Sequence, residues 1–353
     1  MRIDPYNSQK LRVLSCVLVL LVLYIHSYYN EAIGTRYASV IQLFLGGGGI
    51  ANIAVPLFFV FSGFLFFNGI QTVKGCFPKI RRRVRSLIVP YFLWNIIFVL
   101  WYVVLQNLPG TGGMINSDII ADITKGGVFE NLYTIFVAPV AFHLWFLRDL
   151  IILVLISPLI YYWIKYTRWY GAVAILLLHP WLITLSETFN QFGIAYFVLG
   201  GTIALHSDLN RVTKTASSFP VFTASLIVWL IHAFLQALEI KVAFLYWGIL
   251  SVLAGMISIW KIYDLFGVKP KVVSAMAHLK PLLGYSFFVY LFHEPAFNII
   301  KKIGIRVLGT GDAALIGLFL INPLLMFAVS VAVAKMLQKL IPRVYFVLVG
   351  GRS

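Results

Sequence analysis

The stretch LIVPYFLWNIIFVLWYVVL at residues 87–105 decides the fold class of this chain. It contains no acidic or basic side chain, and its apolar residues follow one another without the alternation typical of barrel strands. A helix of about 20 residues crosses the hydrocarbon core of a bilayer. Backbone groups in lipid must be hydrogen-bonded within a helix or a closed barrel. The stretch therefore predicts a transmembrane helix.

The whole chain shares this character. Of its 353 residues, 61% are hydrophobic and 11% are charged, against about 25% charged in a typical soluble domain. We predict an all-α, polytopic membrane bundle of about ten transmembrane helices. It forms a single domain over residues 1–353, without an appended soluble domain. The predicted spans lie near 12–28, 50–68, 87–105, 143–164, 169–186, 192–206, 219–237, 242–260, 282–300 and 313–334.

The net charge of +16 is explained by membrane orientation. In a soluble protein such an excess would favour a nucleic-acid partner, which we do not expect here. With the N-terminus in the cytoplasm, 21 basic residues fall in inner segments and 6 in outer ones. Basic residues concentrate in cytoplasmic loops. An even number of spans then places both termini in the cytoplasm.

Ionisable side chains inside predicted spans mark a candidate site, because lipid cannot solvate them. Those of this chain lie at a similar depth near the outer ends of three spans. His26 lies in the first span, His143 and Arg148 lie in the fourth, and His293 and Glu294 lie in the ninth. The sequence therefore predicts one polar pocket toward the outer leaflet.

Simpler interpretations of the histidines stand beside this one. His26 and His143 also fit an aromatic belt at the membrane interface. His179 and His232 are isolated, and we interpret them as structural or interfacial.

Basic clusters carry two interpretations as well. Four arginines precede the third span: Arg81, Arg82, Arg83 and Arg85. They either anchor the topology or bind a phosphate-bearing cofactor, since arginine binds phosphate bidentately. Lys301, Lys302 and Arg306 fall on the outer side, where they either reach toward headgroups or bind an anionic acceptor.

Segments spread over nearly the whole chain resemble the acyltransferase-3 family of bacterial membrane O-acyltransferases. The matching segments are Leu11-Arg12 with Ile25-His26-Ser27, Val55–Leu65, Arg81–Arg85 with Val89–Trp94, His143–Leu150 and Tyr285–Pro295. The resemblance implies an enzyme of the bacterial plasma membrane that takes an acyl group, usually acetyl, from acetyl-CoA on the cytoplasmic side. It implies transfer of that group to a hydroxyl of a cell-surface glycan or a small acceptor. His26 matches the essential histidine of the family.

One position departs from the family pattern. The family usually has an arginine eleven residues before the histidine, where this chain has Ser15, whereas Arg12 lies fourteen residues before. Both separations are close to whole numbers of helical turns. We therefore group Arg12 with the cofactor-binding arginines.

The resulting hypothesis assigns His26 as general base, with Arg148 or His143 stabilising or positioning nearby and Glu294 or His293 orienting the site. The arginines hold the phosphates of acetyl-CoA, and no metal is expected. A covalent acyl-histidine stays open. The alternative function is a glycan or lipid carrier or flippase. A scaffold or sensor would not need polar groups from three helices, and the His143–Arg148 motif argues against the separate family of membrane-bound O-acyltransferases.

Overall fold

The computed structural model describes residues 3–107, 137–182, 192–207, 209, 212, 218–266 and 281–352. Within these ranges the chain is helical and contains no strand. The helices are α1 Pro5–His26, α2 Ala38–Leu45, α3 Ala54–Phe67, α4 Cys76–Asn107, α5 Trp145–Leu155, α6 Ser157–Leu182, α7 Phe192–His206, α8 Phe219–Ala237, α9 Trp247–Phe266, α10 Ser286–Leu308, α11 Asp312–Leu340 and α12 Pro342–Leu348. The all-α prediction is confirmed for the described residues.

Six stretches are long and apolar enough to cross a membrane: Pro5–His26, Ala38–Phe67, Val73–Asn107, Phe219–Ala237, Trp247–Phe266 and Asp312–Leu340. A bent pair, Phe142–Leu155 with Ser157–Trp181, raises the number to seven if it forms one span. The described part of the chain thus supports a multi-pass membrane protein. The predicted count of about ten is not confirmed, and the cytoplasmic placement of both termini stays a prediction.

The region of the fourth and fifth predicted spans is divided differently from the prediction. The sequence predicts one helix near 143–164 and another near 169–186. The structure instead bends by 67° between α5 and α6, and Arg168 inside α6 has a non-helical backbone with φ 52°. The end of the predicted span at 183–186 lies outside the described residues, as do the basic loops near 210–211, 213–217 and 267–280.

Glycines let α3 and α7 pack backbone against backbone. A Cβ atom added to Gly63 would lie 2.0 Å from the carbonyl oxygen of Phe197, and one added to Gly200 would lie 2.0 Å from that of Val60. Small residues permit such close approach between membrane helices. The two helices therefore form an interlocked pair in the bundle.

An ion pair between a buried lysine and a partly exposed aspartate joins the first turns of α1 to the end of α9. The Lys10 ammonium lies 2.7 Å from a carboxylate oxygen of Asp264 and 3.9 Å from the centre of the Trp260 ring. The Tyr6 hydroxyl donates to the same oxygen of Asp264. These contacts fix the start of α1, whose last residue is His26.

Candidate active site

A break in α10 creates the local geometry of the site. Glu294 has φ −93° and ψ 144°, an extended conformation inside an otherwise helical segment. The next residue is Pro295, and a residue before proline is disfavoured from the helical region. Proline also lacks an N–H, so the Leu291 carbonyl loses its helical partner. His143 Nε2 lies 3.3 Å from that carbonyl oxygen and replaces the lost donor.

His26 and His293 form a hydrogen-bonded pair whose tautomers follow from one carbonyl. His293 Nδ1 lies 2.8 Å from the Tyr290 carbonyl oxygen, which can only accept, so Nδ1 donates. His293 Nε2 must then accept, and it lies 2.8 Å from His26 Nδ1. His26 Nδ1 is therefore the donor, and a lone pair remains on His26 Nε2. The His26 side chain is 14% exposed, whereas His293 is fully buried.

Glu294 supplies a buried carboxylate beside the pair. One of its oxygens lies 3.7 Å from His26 Nδ1, and the other accepts a 2.7 Å hydrogen bond from the Asn298 amide. A carboxylate at this distance stabilises the imidazolium that forms when His26 Nε2 takes a proton. The amide fixes the orientation of that carboxylate.

Lys301 holds the end of α1 in place. Its ammonium donates to the carbonyl oxygen of His26 at 3.1 Å and to that of Tyr28, and it lies 5.1 Å from the centre of the Tyr29 ring. A cation at a helix C-terminus is favoured by the partial negative charge of the last carbonyls. Sequence reasoning did not assign Asn298 or Lys301 to the pocket. The sequence feature that could have identified them is their spacing, because they follow Glu294 by four and seven residues on the same helix.

His143 packs against the buried face of the pair. Its ring centre lies 4.6 Å from that of His293 and 5.6 Å from that of Phe98 on α4. The Tyr290 hydroxyl donates to the His143 backbone carbonyl at 2.8 Å. His143 therefore links α10 to the segment before α5, and it supports the positions of the other two histidines.

Arg148 has partners of its own. Its guanidinium contacts the Asp149 carboxylate at 2.8 Å and donates to the Val137 carbonyl, and Arg148 and Asp149 are both buried. In the described ranges no contact joins Arg148 to the histidines. The structure thus brings together His26, His143, His293 and Glu294, but it does not add Arg148 to them.

Four of the five predicted cofactor arginines line an open cavity of about 990 Å³ at the other end of α4. The basic residues of its wall are Lys79, Arg81, Arg82, Arg83, Arg85 and Arg352. Arg12 is not among the lining residues and is exposed on α1. The structure therefore does not bring Arg12 together with the other arginines, and its role in binding the donor stays a prediction.

Three side chains of the pocket carry donor atoms that metal ions bind. The donor atoms of His26, His293 and Glu294 lie within 4.8 Å of one another. Hydrogen bonds already account for these positions, from Asn298 to Glu294 and between the two histidines. The expectation that no metal is used stays a prediction.

The fold and the pocket define a class: a multi-pass helical membrane protein with a hydrogen-bonded histidine pair beside a buried carboxylate. The family follows from comparison, since a model of the acyltransferase domain of the acyltransferase-3 family matches residues 9–335. The chain belongs to that family and is a membrane acyltransferase. It is 23% identical to the succinoglycan biosynthesis protein ExoH of Rhizobium meliloti (strain 1021), over 99% of this chain and 94% of the relative. No solved structure matches the chain.

Proposed function

We propose that the protein transfers an acetyl group from acetyl-CoA, bound at the cytoplasmic face of a bacterial plasma membrane, to a hydroxyl of a polysaccharide. Membership of the acyltransferase-3 family supports the acyl transfer. The relative named for succinoglycan biosynthesis supports a polysaccharide acceptor. The arginine cavity supports a donor that carries phosphates.

The observation that carries the proposal is the chain of hydrogen bonds from His26 through His293 to the Tyr290 carbonyl. It leaves His26 Nε2 unprotonated in the neutral pair, as a general base requires. His26 is the partly exposed member of the pair, so the approach of an acceptor hydroxyl is proposed to occur at His26.

A single general base is sufficient for the proposed reaction. His26 Nε2 takes the proton of the acceptor hydroxyl while its oxygen attacks the thioester carbonyl, and Glu294 stabilises the imidazolium. The tetrahedral intermediate collapses when the carbon–sulfur bond breaks. The proton passes from His26 to the departing thiolate, so that an ester and free CoA leave.

The separation of the two sites fits a long donor arm. Arg83 lines the cavity, and Phe98 on the same helix contacts the His143 ring. These residues are separated along α4 by roughly 22 Å at 1.5 Å per residue. The pantetheine arm of CoA, extended along the helices, covers much of this distance.

The test is acetyl transfer by the purified protein in liposomes, with labelled acetyl-CoA and a cell-envelope polysaccharide. We expect His26→Ala to reduce the rate by about 10²- to 10⁴-fold, the usual contribution of a general base. His206→Ala is the matched control, because His206 bonds to the Ile164 carbonyl in another part of the bundle. Unchanged transfer by a folded His26→Ala protein would refute the role of His26.

The rival function is a glycan or lipid carrier without acyl chemistry. A carrier would move the polysaccharide or its lipid precursor without consuming acetyl-CoA. Release of free CoA by the wild-type protein, dependent on an acceptor, separates the two functions in the same assay.

A further inference from the structure

The arginine cavity is unbalanced in charge. No acidic side chain is among its lining residues, and no salt bridge in the described part of the chain involves its arginines. Lys79 is engaged elsewhere, because its ammonium donates to the carbonyls of Phe66 and Asn68 at 2.6 Å each. The guanidinium groups therefore repel one another until an anion enters.

The last turn of the chain brings a distant arginine into this cavity. The Trp94 indole N–H donates to the Leu348 carbonyl at 3.1 Å and fastens α12 to α4. Gly350 and Gly351 follow with φ 65° and 76°, in the left-handed region that favours glycine. A Cβ on Gly350 would lie 2.3 Å from the Ser86 carbonyl oxygen. This close turn places Arg352 beside the arginines of α4.

Arg352 is held in one orientation. Its guanidinium lies 3.7 Å from the centre of the Phe287 ring, a cation–π contact that fixes the plane of the group. One of its terminal nitrogens is buried and has no partner among the described residues. Burial and the nearby charge of Arg83 lower the pKa of Arg352 to about 10, so the side chain stays protonated near neutral pH.

We propose that Arg352 and Arg83 together form a binding site for a phosphate monoester, and that this site recognises the 3′-phosphate of the CoA donor. The identification of CoA as the ligand rests on the proposed function. Planar guanidinium groups match phosphate oxygens in pairs. The headgroup of an anionic lipid carries the same chemistry, so the test includes it as a second source.

Equilibrium binding to the full-length protein in nanodiscs measures the site directly. The ligands are CoA and 3′-dephospho-CoA, and a parallel series uses nanodiscs with and without phosphatidic acid. We expect the wild-type protein to prefer CoA by about 10-fold or more, the order of one charge-assisted hydrogen bond. Arg352→Gln should remove this preference and raise the KM for acetyl-CoA by a similar factor, with kcat at saturating donor unchanged.

Arg352→Lys tests whether the site needs the paired N–H donors of a guanidinium, because lysine keeps the positive charge but lacks these paired donors. Arg343→Gln is the control, since Arg343 lies exposed on α12 and is not among the cavity lining. Thermal melting of each variant verifies the fold. A loss of phosphatidic acid binding in Arg352→Gln, with the CoA preference intact, supports the phosphate site and assigns its occupant to lipid.

Retention by a folded Arg352→Gln protein of both the CoA preference and the lipid binding overturns the inference. Failure of the proposed function has a different signature: the wild-type protein would transfer no acetyl group whatever the variants bind.

Discussion

At the scale of single residues, the pocket depends on which atoms are already hydrogen-bonded. The Tyr290 carbonyl sets the tautomer of His293, and His293 in turn sets that of His26. Arg148 is committed to Asp149 and Val137. Lys301 contacts the backbone at the end of α1 and not the His26 ring, because its ammonium donates to the carbonyl oxygens of His26 and Tyr28. Its role is to position.

We expect Lys301→Met to lower kcat by about 10-fold or more, because it removes two charge-assisted hydrogen bonds that are each of the order of 1.5–3 kcal/mol. The end of α1 would then be free to shift His26 away from His293. The measurement is the pH profile of kcat beside the unfolding temperature, since a merely structural role would change only the latter. Arg306→Met on the exposed side of α10 is the control, and equal kcat in both variants would contradict the assignment.

At the scale of elements, the break at Glu294 decides whether two neighbouring side chains serve one pocket. Adjacent residues on a regular helix point about 100° apart. The extended backbone at Glu294 lets His293 reach His26 while the Glu294 carboxylate stays close to the same ring. The break also frees the Leu291 carbonyl for His143.

Replacement of Pro295 by alanine restores an N–H and removes the reason for the break. We expect a straighter α10 with equal or higher thermal stability, because an interior proline costs a helix about 3 kcal/mol. Acyl transfer should fall by at least about 10-fold, since misplacement of catalytic groups by 1 Å can reduce rates by about 100-fold. An active and more stable Pro295→Ala protein would show that the break is not needed for catalysis.

The interlocked pair of α3 and α7 gives a prediction about stability. Gly63→Ala forces a methyl group against the Phe197 carbonyl and should destabilise the protein by about 1–3 kcal/mol, the usual cost of overpacking. Gly248→Ala on α9 is the matched control, because nothing lies within 4 Å of the added Cβ. Thermal unfolding in detergent compares the two, and equal melting temperatures would argue against close backbone packing.

At the scale of the whole molecule, the sequence predicted the fold class well because the bilayer permits few alternatives. It predicted the number of spans less well. The fifteen-residue α7 is about 22 Å long, shorter than a bilayer core of about 30 Å. Helix α10 carries four charged residues, Glu294, Lys301, Lys302 and Arg306, so its composition differs from that of a uniformly apolar span. The bend after α5 is not visible as a change in the hydrophobicity of the sequence.

The candidate site was predictable to the extent that lipid makes ionisable groups conspicuous. This reasoning selected His26, His143, His293 and Glu294, which lie together, and it also selected Arg148 and Arg12, which do not join their predicted partners. The burial of a charged side chain does not determine which group it contacts. Lys301 and Arg352 lay beyond the motifs, so their roles required three-dimensional contacts.

The hydrogen-bond chain that ends on the Tyr290 carbonyl has a consequence for the energetics of the cell. A membrane enzyme whose donor and acceptor arrive from opposite sides, as we propose, risks becoming a proton leak. A peptide carbonyl cannot pick up and pass on a hydrogen ion, so the two imidazoles form a closed end and not a conducting wire. Vesicles that contain the protein should accordingly hold an imposed pH gradient while esterification proceeds.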